Sequence, residues 1–378
     1  MTSTPPRRPR ILIVYPYLPH YRAGIFSALD ALPEVTVAFA ASDRGRDGIE
    51  VMDARALREV HPLQNVFVKG VLWQRGLLRL TASRSFDVVV FLGSAGYAST
   101  WLAAVVARIT RKKVVFWTIG WHRPDRGIRR VVRLSFYRLA HQLWLYADRG
   151  AVLGRSMGYP GTKMVVVGNS AHSSTVPSPS SEGTLPPSDL PTIVAVARLT
   201  PAKRLHLLVL AAERLAAEGR PVRLLLAGDG PERAALADLC AEHGVTGDFV
   251  GAVYSPGALA AVYAQASVAC VPSAAGLSVI QSLEAGVPVV TDDHEDSQMP
   301  EAEAVHHRVT GSRYRHNDVD DLAAELSFWI DASADRADEV ARACRDEVQR
   351  RWTPSAQVAL MRRALNVLLP GRLVAGDR

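Results

Sequence analysis

The stretch PSAAGLSVIQSLEAGVPVV at 272–290 sets Gly276 between a short apolar run and a helical pattern. A helix that begins at Leu277 directs its first N–H groups, and the positive end of its dipole, out of its end. Such an end can hold a pyrophosphate. Gln281 lies one turn in and can reach past the phosphates to a sugar hydroxyl. Gly286 closes the helix, and Pro288-Val289-Val290 opens the next buried strand. A plain buried helix would explain the apolar residues but not the polar Gln281. In VAVARLTPAKR, Arg198 ends a strand and Lys203 follows five residues later, where the pattern predicts a helix start. Guanidinium, ammonium and orphan N–H groups all favour anions, although the pair alone also suits a solvated loop. In LLLAGDGPER, Gly228 and Gly230 bracket Asp229 and allow a tight turn with close approach of a ligand. An ordinary strand-to-helix turn started by Asp229 or Pro231 is the simpler account of that stretch alone.

These residues need strands that end beside one another. ILIVYP, VTVAFAA, DVVVFLG, KVVFWT, QLWLYA and KMVVVGN read as strands buried on both faces, with amphipathic segments between them. HSSTVPSPSSEGTLPPSDLP has no periodicity and reads as a linker, after which the alternation restarts with TIVAVARL, VRLLLAGDG, DFVGAV and VACVPS. The expectation is α/β: two Rossmann-like parallel-sheet domains with a cleft between them. They would span 1–173 and 191–350, joined by a Pro/Ser-rich linker at 174–190 and followed by a last helix at 351–378. Ligands of open parallel sheets bind outside the carboxyl ends of the strands.

Length, 378 residues, suits two cores, and 48% hydrophobic with 21% charged residues suits a globular chain. Three scattered cysteines form neither a disulfide framework nor a metal-ligand spacing, which fits a reducing compartment. The basic start lacks the long apolar run and cleavage site of a leader. The 20 uncharged residues between Asp87 and Arg108 contain GSAGYAST, which reads as strand, loop and helix rather than a membrane span. The expected location is therefore cytoplasmic. The net charge of +7 conceals an asymmetry, with 25 Lys+Arg against 12 Asp+Glu in residues 1–190 and 19 against 25 thereafter. A basic first half suits phosphate-bearing partners or an anionic membrane, and no recognition motif supports nucleic acid.

Taken together, the motifs resemble the donor half of the retaining family-4 glycosyltransferases, group 1, of the GT-B fold. Gly276, Leu277, Gln281, Gly286, Pro288 and Val289 meet the spacing G-L-x₃-[E]-x₄-G-x-P-V, with Gln in the acid's place. VARLTPAK resembles the family's R-L-x₃-K phosphate grip and LAGDGPER its G-x-G-P turn. FVGAV, with Gly251 and Val253, resembles the loop that holds the nucleotide base, and Asn169 of GNS matches the segment entering the linker. Most of that family has two glutamates eight residues apart; here the positions hold Ser273 and Gln281. The short loop and GLSVIQSL resemble a subgroup with the pattern P-G-x-x-G-L-S-x-x-[HQ]-x-L, in which QMPEAEAV also recurs, so Glu301 and Glu303 are candidate substitute carboxylates. Gln281 can itself accept from one ribose hydroxyl and donate to another, losing about 1–2 kcal/mol of charge-assisted bonding. Glu284, a further turn along, is a second candidate.

The resemblance implies transfer of a hexose from a nucleotide-diphosphate sugar, UDP being the favoured carrier, with retention of anomeric configuration. It also implies no cofactor and no metal: Arg198, Lys203 and the Gly276 helix end would meet the charge of the leaving diphosphate. The departing phosphate would then assist removal of the acceptor proton. The acceptor, a lipid-linked sugar, a polysaccharide precursor or a small molecule, is expected on the basic half. There His20, Tyr21 and Arg22 follow the first strand, and His122 and Arg123 follow VVFWTIG. Ile119 occupies the place where many relatives carry a His, which makes His122 a stand-in. Arg126, Arg129, Arg130 and Arg133 recur at helical spacing and suit an anionic membrane surface or, equally, a solvated helix face. In GT-B folds the last helix crosses back to the first domain. The rival functions are a sugar-nucleotide epimerase on the same fold and a non-catalytic homologue that binds the nucleotide-sugar. Turnover of donor only when acceptor is present separates transfer from both.

Overall fold

The computed structural model describes residues 7–46, 49–170, 188–253 and 255–373. The chain divides into two compact units, Met1–Ser174 with Thr353–Arg378, and Thr175–Trp352. Residues 174–187 of the expected 174–190 linker lie outside the described residues.

The first unit runs β1 (Arg10–Tyr17), α1 (Ala23–Asp30), β2 (Thr36–Ser42), β3 (Val60–Pro62), β4 (Gln64–Val68), β5 (Val71–Arg75), α2 (Leu77–Ala82), β6 (Val88–Leu92) and α3 (Ala98–Ile109). It continues with β7 (Lys113–Thr118), α4 (Gly127–Tyr137), β8 (Gln142–Leu145), α5 (Asp148–Ser156) and β9 (Met164–Val166). Seven of these strands form one parallel sheet in the order β3-β2-β1-β6-β7-β8-β9. Their apolar runs are covered on both faces. Ile13, Phe26, Val37, Val90 and Trp117 fill one side, and Leu12, Val89, Ala104, Phe116 and Phe136 the other. The uncharged stretch after Asp87 is split between β6 and α3. No helix among the described residues is long and apolar enough to cross a membrane.

The second unit runs β10 (Thr192–Val196), α6 (His206–Ala217), β11 (Arg223–Ala227), α7 (Arg233–Glu242), β12 (Thr246–Gly251), α8 (Pro256–Tyr263), β13 (Val268–Cys270) and α9 (Leu277–Ala285). It ends with β14 (Val289–Asp292), β15 (Gly311–Tyr314), α10 (Val319–Asp335) and α11 (Ala337–Arg351). Its sheet is parallel in the order β12-β11-β10-β13-β14-β15. The last helix, α12 (Pro354–Leu368), belongs to the first unit, where Val358, Met361 and Leu365 join the core beside Ile25, Phe26 and Leu29. Gln357 secures it by donating to Gly168 O at 2.7 Å and accepting from Ser170 Oγ at 2.7 Å.

Strand order reverses between β1 and β6 in one unit and between β10 and β13 in the other. At such a reversal the loops leaving neighbouring strands diverge, which opens a crevice at the strands' carboxyl ends. The antiparallel hairpin β4–β5 has no counterpart in the expected strand list. Its two-residue turn, Lys69 and Gly70, has positive φ at both positions, which suits a primed hairpin turn although Lys is an uncommon residue there.

His141 ties β7 to the chain entering β8: its Nδ1 accepts from Val114 N–H at 3.0 Å. Burial, then Arg108, Lys113 and Lys163, lower its pKa to about 4, against 6.5 for an ordinary histidine. The folded state thus prefers the neutral ring. Its contribution to stability is complete above about pH 6.5 and declines as pH falls towards 4. Thermal unfolding followed from pH 7 to 5 should show this loss in the wild type. In His141→Asn, whose amide oxygen can accept the same N–H without titrating, it should be absent.

Candidate active site

The second unit assembles its candidate groups at the β10/β13 reversal. After β10 the backbone runs on against the β11 turn, with Ala197 N donating to Ala227 O at 3.1 Å and Leu199 N to Asp229 O at 3.0 Å. Arg198, between these two anchors, is exposed and makes no side-chain hydrogen bond or ion pair among the described residues. The same contact explains the two glycines. A Cβ at Gly228 would lie 1.8 Å from Ala197 O, and one at Gly230 would lie 2.3 Å from Leu199 O. Glycine is thus demanded here by the chain's own backbone, without appeal to a ligand. Gly228 N donates to Gly251 O at 2.7 Å, which places the half-buried Val253 just beyond.

Lys203 is not at the start of an α-helix, as its spacing suggests, but in a 3-10 turn, Pro201–Lys203. The left-handed Arg204, φ +53°, interrupts the chain before α6 begins at His206. This break turns the Lys203 ammonium across to the loop after β13, where it donates to Ala274 O at 2.5 Å. Burial lowers the Lys203 pKa, and Glu301 nearby opposes that shift. Ala274 is itself left-handed at φ +51°, a strained conformation for a residue with a Cβ. Gln298 holds the loop's other side. Its Oε1 accepts from Ala275 N at 2.9 Å, and its Nε2 donates to Thr291 Oγ1 at 2.9 Å and to the buried Asp292 carboxylate. His316 donates from Nδ1 to Asp292 at 2.7 Å, and its Nε2 lies 3.1 Å from Arg204 Nη1.

Gly276 is the N-cap of α9, and Gly286, φ +87°, its C-cap. A side chain at Gly276 would meet Met299 Cγ at 3.6 Å and Glu301 Oε2 at 4.0 Å. Glu301, only 2% exposed, thus faces both the helix end and Lys203. Leu277 and Gln281 are half-buried on the first turns of α9, and Gln281 makes no side-chain hydrogen bond among the described residues. Glu284 is half-buried one turn on; Glu303 lies 3.4 Å from Arg351. Lys203, Gly276 and Glu301 are therefore brought to one place, with Gln281 one turn along α9 and Arg198 in the loop that leaves the neighbouring strand β10. The support of the loop by Gln298 escaped sequence reasoning. A polar residue before Met299-Pro300 gives no hint that it reaches back to Ala275.

In the first unit a cavity of about 390 Å³ opens at the carboxyl ends of β6 and β7, between Gly93–Gly96 and Thr118–His122. Tyr137 and Arg133 from α4 complete its wall and both donate to Gly120 O, at 3.0 and 2.6 Å. His122 lines this cavity, and Arg123 is exposed beside it. His20 and Tyr21 are half-buried after β1. His20 Nδ1 donates to Glu50 O at 3.2 Å, which leaves Nε2 of the neutral ring as an acceptor. Arg22 is placed differently from its neighbours. It is 7% exposed, with its guanidinium 5.0 Å from the Tyr146 ring and 5.2 Å from Trp117. Of the four helix arginines, Arg126 and Arg129 face solvent, and Arg130 donates to Met157 O at 3.2 Å. Arg133 departs from the expected solvent-facing row: it turns inward to Asp125 at 2.5 Å. Asn169 is buried where the chain leaves the unit.

Residues 179–347 match the family described as Glycosyl transferases group 1. No curated protein sequence matches the chain. Among solved structures, a glycosyltransferase from Rickettsia africae aligns with TM-score 0.71 at 15% identity, covering 97% of this chain and 100% of its own. Anabaena Alr3699/HepE in complex with UDP aligns with TM-score 0.69 at 14% identity, covering 95% and 100%. The lipopolysaccharide outer core galactosyltransferase WaaB gives 0.69 at 15% identity, again over 95% and 100%. Identities this low establish the fold, which is GT-B.

The glycines separate two roles that the sequence alone presents alike. Gly228→Ala should cost about 3 kcal/mol or more, because the new Cβ collides with backbone. Gly276→Ala meets only ordinary contacts and should stay within about 1 kcal/mol of wild type. Denaturant midpoints of the two variants check the contrast.

Proposed function

We propose that the protein is a glycosyltransferase that moves a hexose from a nucleotide-diphosphate sugar to an acceptor bound by the first unit. The observation that carries this reading is the Lys203 ammonium held on the loop that leads to the α9 N-terminus at the β10/β13 reversal, with the exposed Arg198 in the loop leaving β10. Three cationic or donor elements on one crevice suit a diphosphate. The Lys203 ammonium, held by a carbonyl and close to Glu301, is placed to swing onto a phosphate oxygen with little rearrangement. As the bond from the anomeric carbon to the phosphate oxygen breaks, charge grows on the leaving diphosphate. Arg198, Lys203 and the helix end would stabilise it, a task that metal ions perform elsewhere. The acceptor oxygen forms the new bond to that carbon, and its proton passes to the departing phosphate. Retention of configuration and independence of metal are parts of this proposal, as are ribose contacts from Gln281, with Glu284 as the alternative, and a sugar contact from Glu301. UDP is the favoured nucleotide, supported by the UDP and UDP-glucose complexes of the Anabaena protein.

The 390 Å³ cavity, with His122 in its wall and His20 and Tyr21 after the neighbouring strand, is the proposed acceptor side. On α4 the exposed Ile128, Val131 and Val132 lie among Arg126 and Arg129, the composition of a helix that rests on anionic lipid. A lipid-linked acceptor fits that surface. Arg126→Gln/Arg129→Gln/Ile128→Ser should abolish flotation with anionic liposomes; unchanged flotation would remove the membrane from this reading.

Thermal unfolding with UDP, GDP and ADP tests the donor site. At 100 times the dissociation constant a nucleotide adds roughly 2.7 kcal/mol, a shift of several degrees. The expected shift comes with UDP, persists in EDTA and disappears in Arg198→Ala. In Lys203→Ala the affinity should fall about tenfold to a hundredfold, as for loss of one charge-assisted bond. Donor consumption that requires acceptor completes the case for transfer, and donor turnover without acceptor would favour the epimerase.

A further inference from the structure

A second cavity, of about 620 Å³, lies at the opposite end of the same strands of the first unit. Asp87 precedes β6 and Lys113 begins β7, whereas the acceptor-side cavity lies beyond their carboxyl ends. Five cations line it, Arg84, Arg111, Lys112, Lys113 and Arg372, against the single carboxylate of Asp87. That carboxylate is already committed: Arg7 and Arg372 each reach it at 3.0 Å, and Arg10 N–H at 2.8 Å. Burial alone would raise its pKa, but these partners outweigh burial and hold it below the usual range.

The other four cations have no carboxylate within ion-pair distance among the described residues. Lys112 is the telling one. It is only 4% exposed, and its ammonium makes one hydrogen bond, to Thr110 Oγ1 at 2.7 Å. Taking an ammonium out of water is costly unless charge and hydrogen bonds replace the water; Asp87, beyond ion-pair distance and already held by Arg7 and Arg372, offsets the burial only in part, and one hydroxyl leaves two acceptors wanting. Arg111, left-handed at φ +60°, is held in a conformation that non-glycine residues rarely adopt. Arg111, Lys112 and Lys113 follow the carboxyl end of α3, where positive charge suits the dipole, but that needs no buried ammonium.

We propose that this cavity binds a phosphate-bearing anion, with Lys112 as the buried contact and Arg84, Arg111 and Lys113 around it. Phosphate offers the charge and the several acceptors that the ammonium lacks. Two sources present that group: a soluble polyphosphate, or a lipid headgroup, for which Ile109, 75% exposed at the rim, would provide an apolar neighbour.

Thermal unfolding with inorganic pyrophosphate at fixed ionic strength decides the matter, in wild type, Lys112→Met, Arg84→Gln/Arg111→Gln and Arg198→Ala. The expected result is a shift that survives Arg198→Ala. It should require about tenfold more pyrophosphate, or vanish, when either of the other two variants is combined with Arg198→Ala. Lys112→Met removes a buried charge and should unfold no earlier than wild type without ligand. Should it fold poorly, the exposed Arg84/Arg111 pair carries the test alone. No shift in wild type, an unchanged shift in the combined variants, or loss only in Arg198→Ala would overturn the proposal, the last assigning the anion to the donor site. Flotation with phosphatidylglycerol vesicles separates the sources. Flotation that pyrophosphate competes away, and that the Arg84/Arg111 variant loses, assigns a lipid headgroup; a pyrophosphate shift without flotation assigns a soluble anion.

Discussion

The hydrogen bond from the Lys203 ammonium to Ala274 O is the contact on which the placing of the α9 N-terminus depends. It joins the turn after β10 to the loop after β13, the two loops that a strand-order reversal drives apart. The loop cannot hold its shape unaided, because Ala274 is left-handed and carries a Cβ. Lys203 pulls on one peptide and Gln298 fastens the next, and Gln298 is itself anchored to Thr291 and Asp292 at the end of β14. Three strands thereby fix where α9 begins. A half-buried ammonium also carries a desolvation cost, which the carbonyl and the neighbouring Glu301 only partly offset. An arriving anion would relieve that cost, so the contact that positions the helix end also favours its occupation.

The two units meet their polar requirements by different means. The second relies on charge: a lysine, an arginine and a buried carboxylate against a helix terminus. The first adds aromatic rings to its charged contacts. Arg22 is enclosed by Tyr15, Tyr146 and Trp117, whose faces attract a guanidinium. Gly120 O accepts from both Tyr137 and Arg133.

The parallel sheets were legible because their strands are apolar on both faces, and the positions of Gly276 and Gly286 because a helix must be started and stopped. The hairpin β4–β5 was not, since its turn uses Lys69-Gly70 rather than an Asn-Gly signal and its exposed Phe67, Val68 and Trp73 blur the alternation. Arg22 reads as an acceptor-side residue of the loop after β1, and Arg133 as one of a row on a helix face. The aromatic enclosure of one and the Asp125 contact of the other are not visible as a local pattern. Lys203 reads as the start of a helix and sits in a 3-10 turn instead, because a left-handed Arg204 leaves no mark in the sequence. Long-range partners such as Gln298 and Ala275 belong to the fold and not to any short window.

The second unit is an insertion within the first, since α12 returns to the core that α1 and β1 began. On the ribosome, the apolar side formed by Phe26, Leu29 and Val37 must therefore wait until all of Thr175–Trp352 has been made before Met361 and Leu365 cover it. Synthesis order and folding order part company here. The later-born unit can close first, while the earlier one holds an open hydrophobic face that invites chaperones or aggregation.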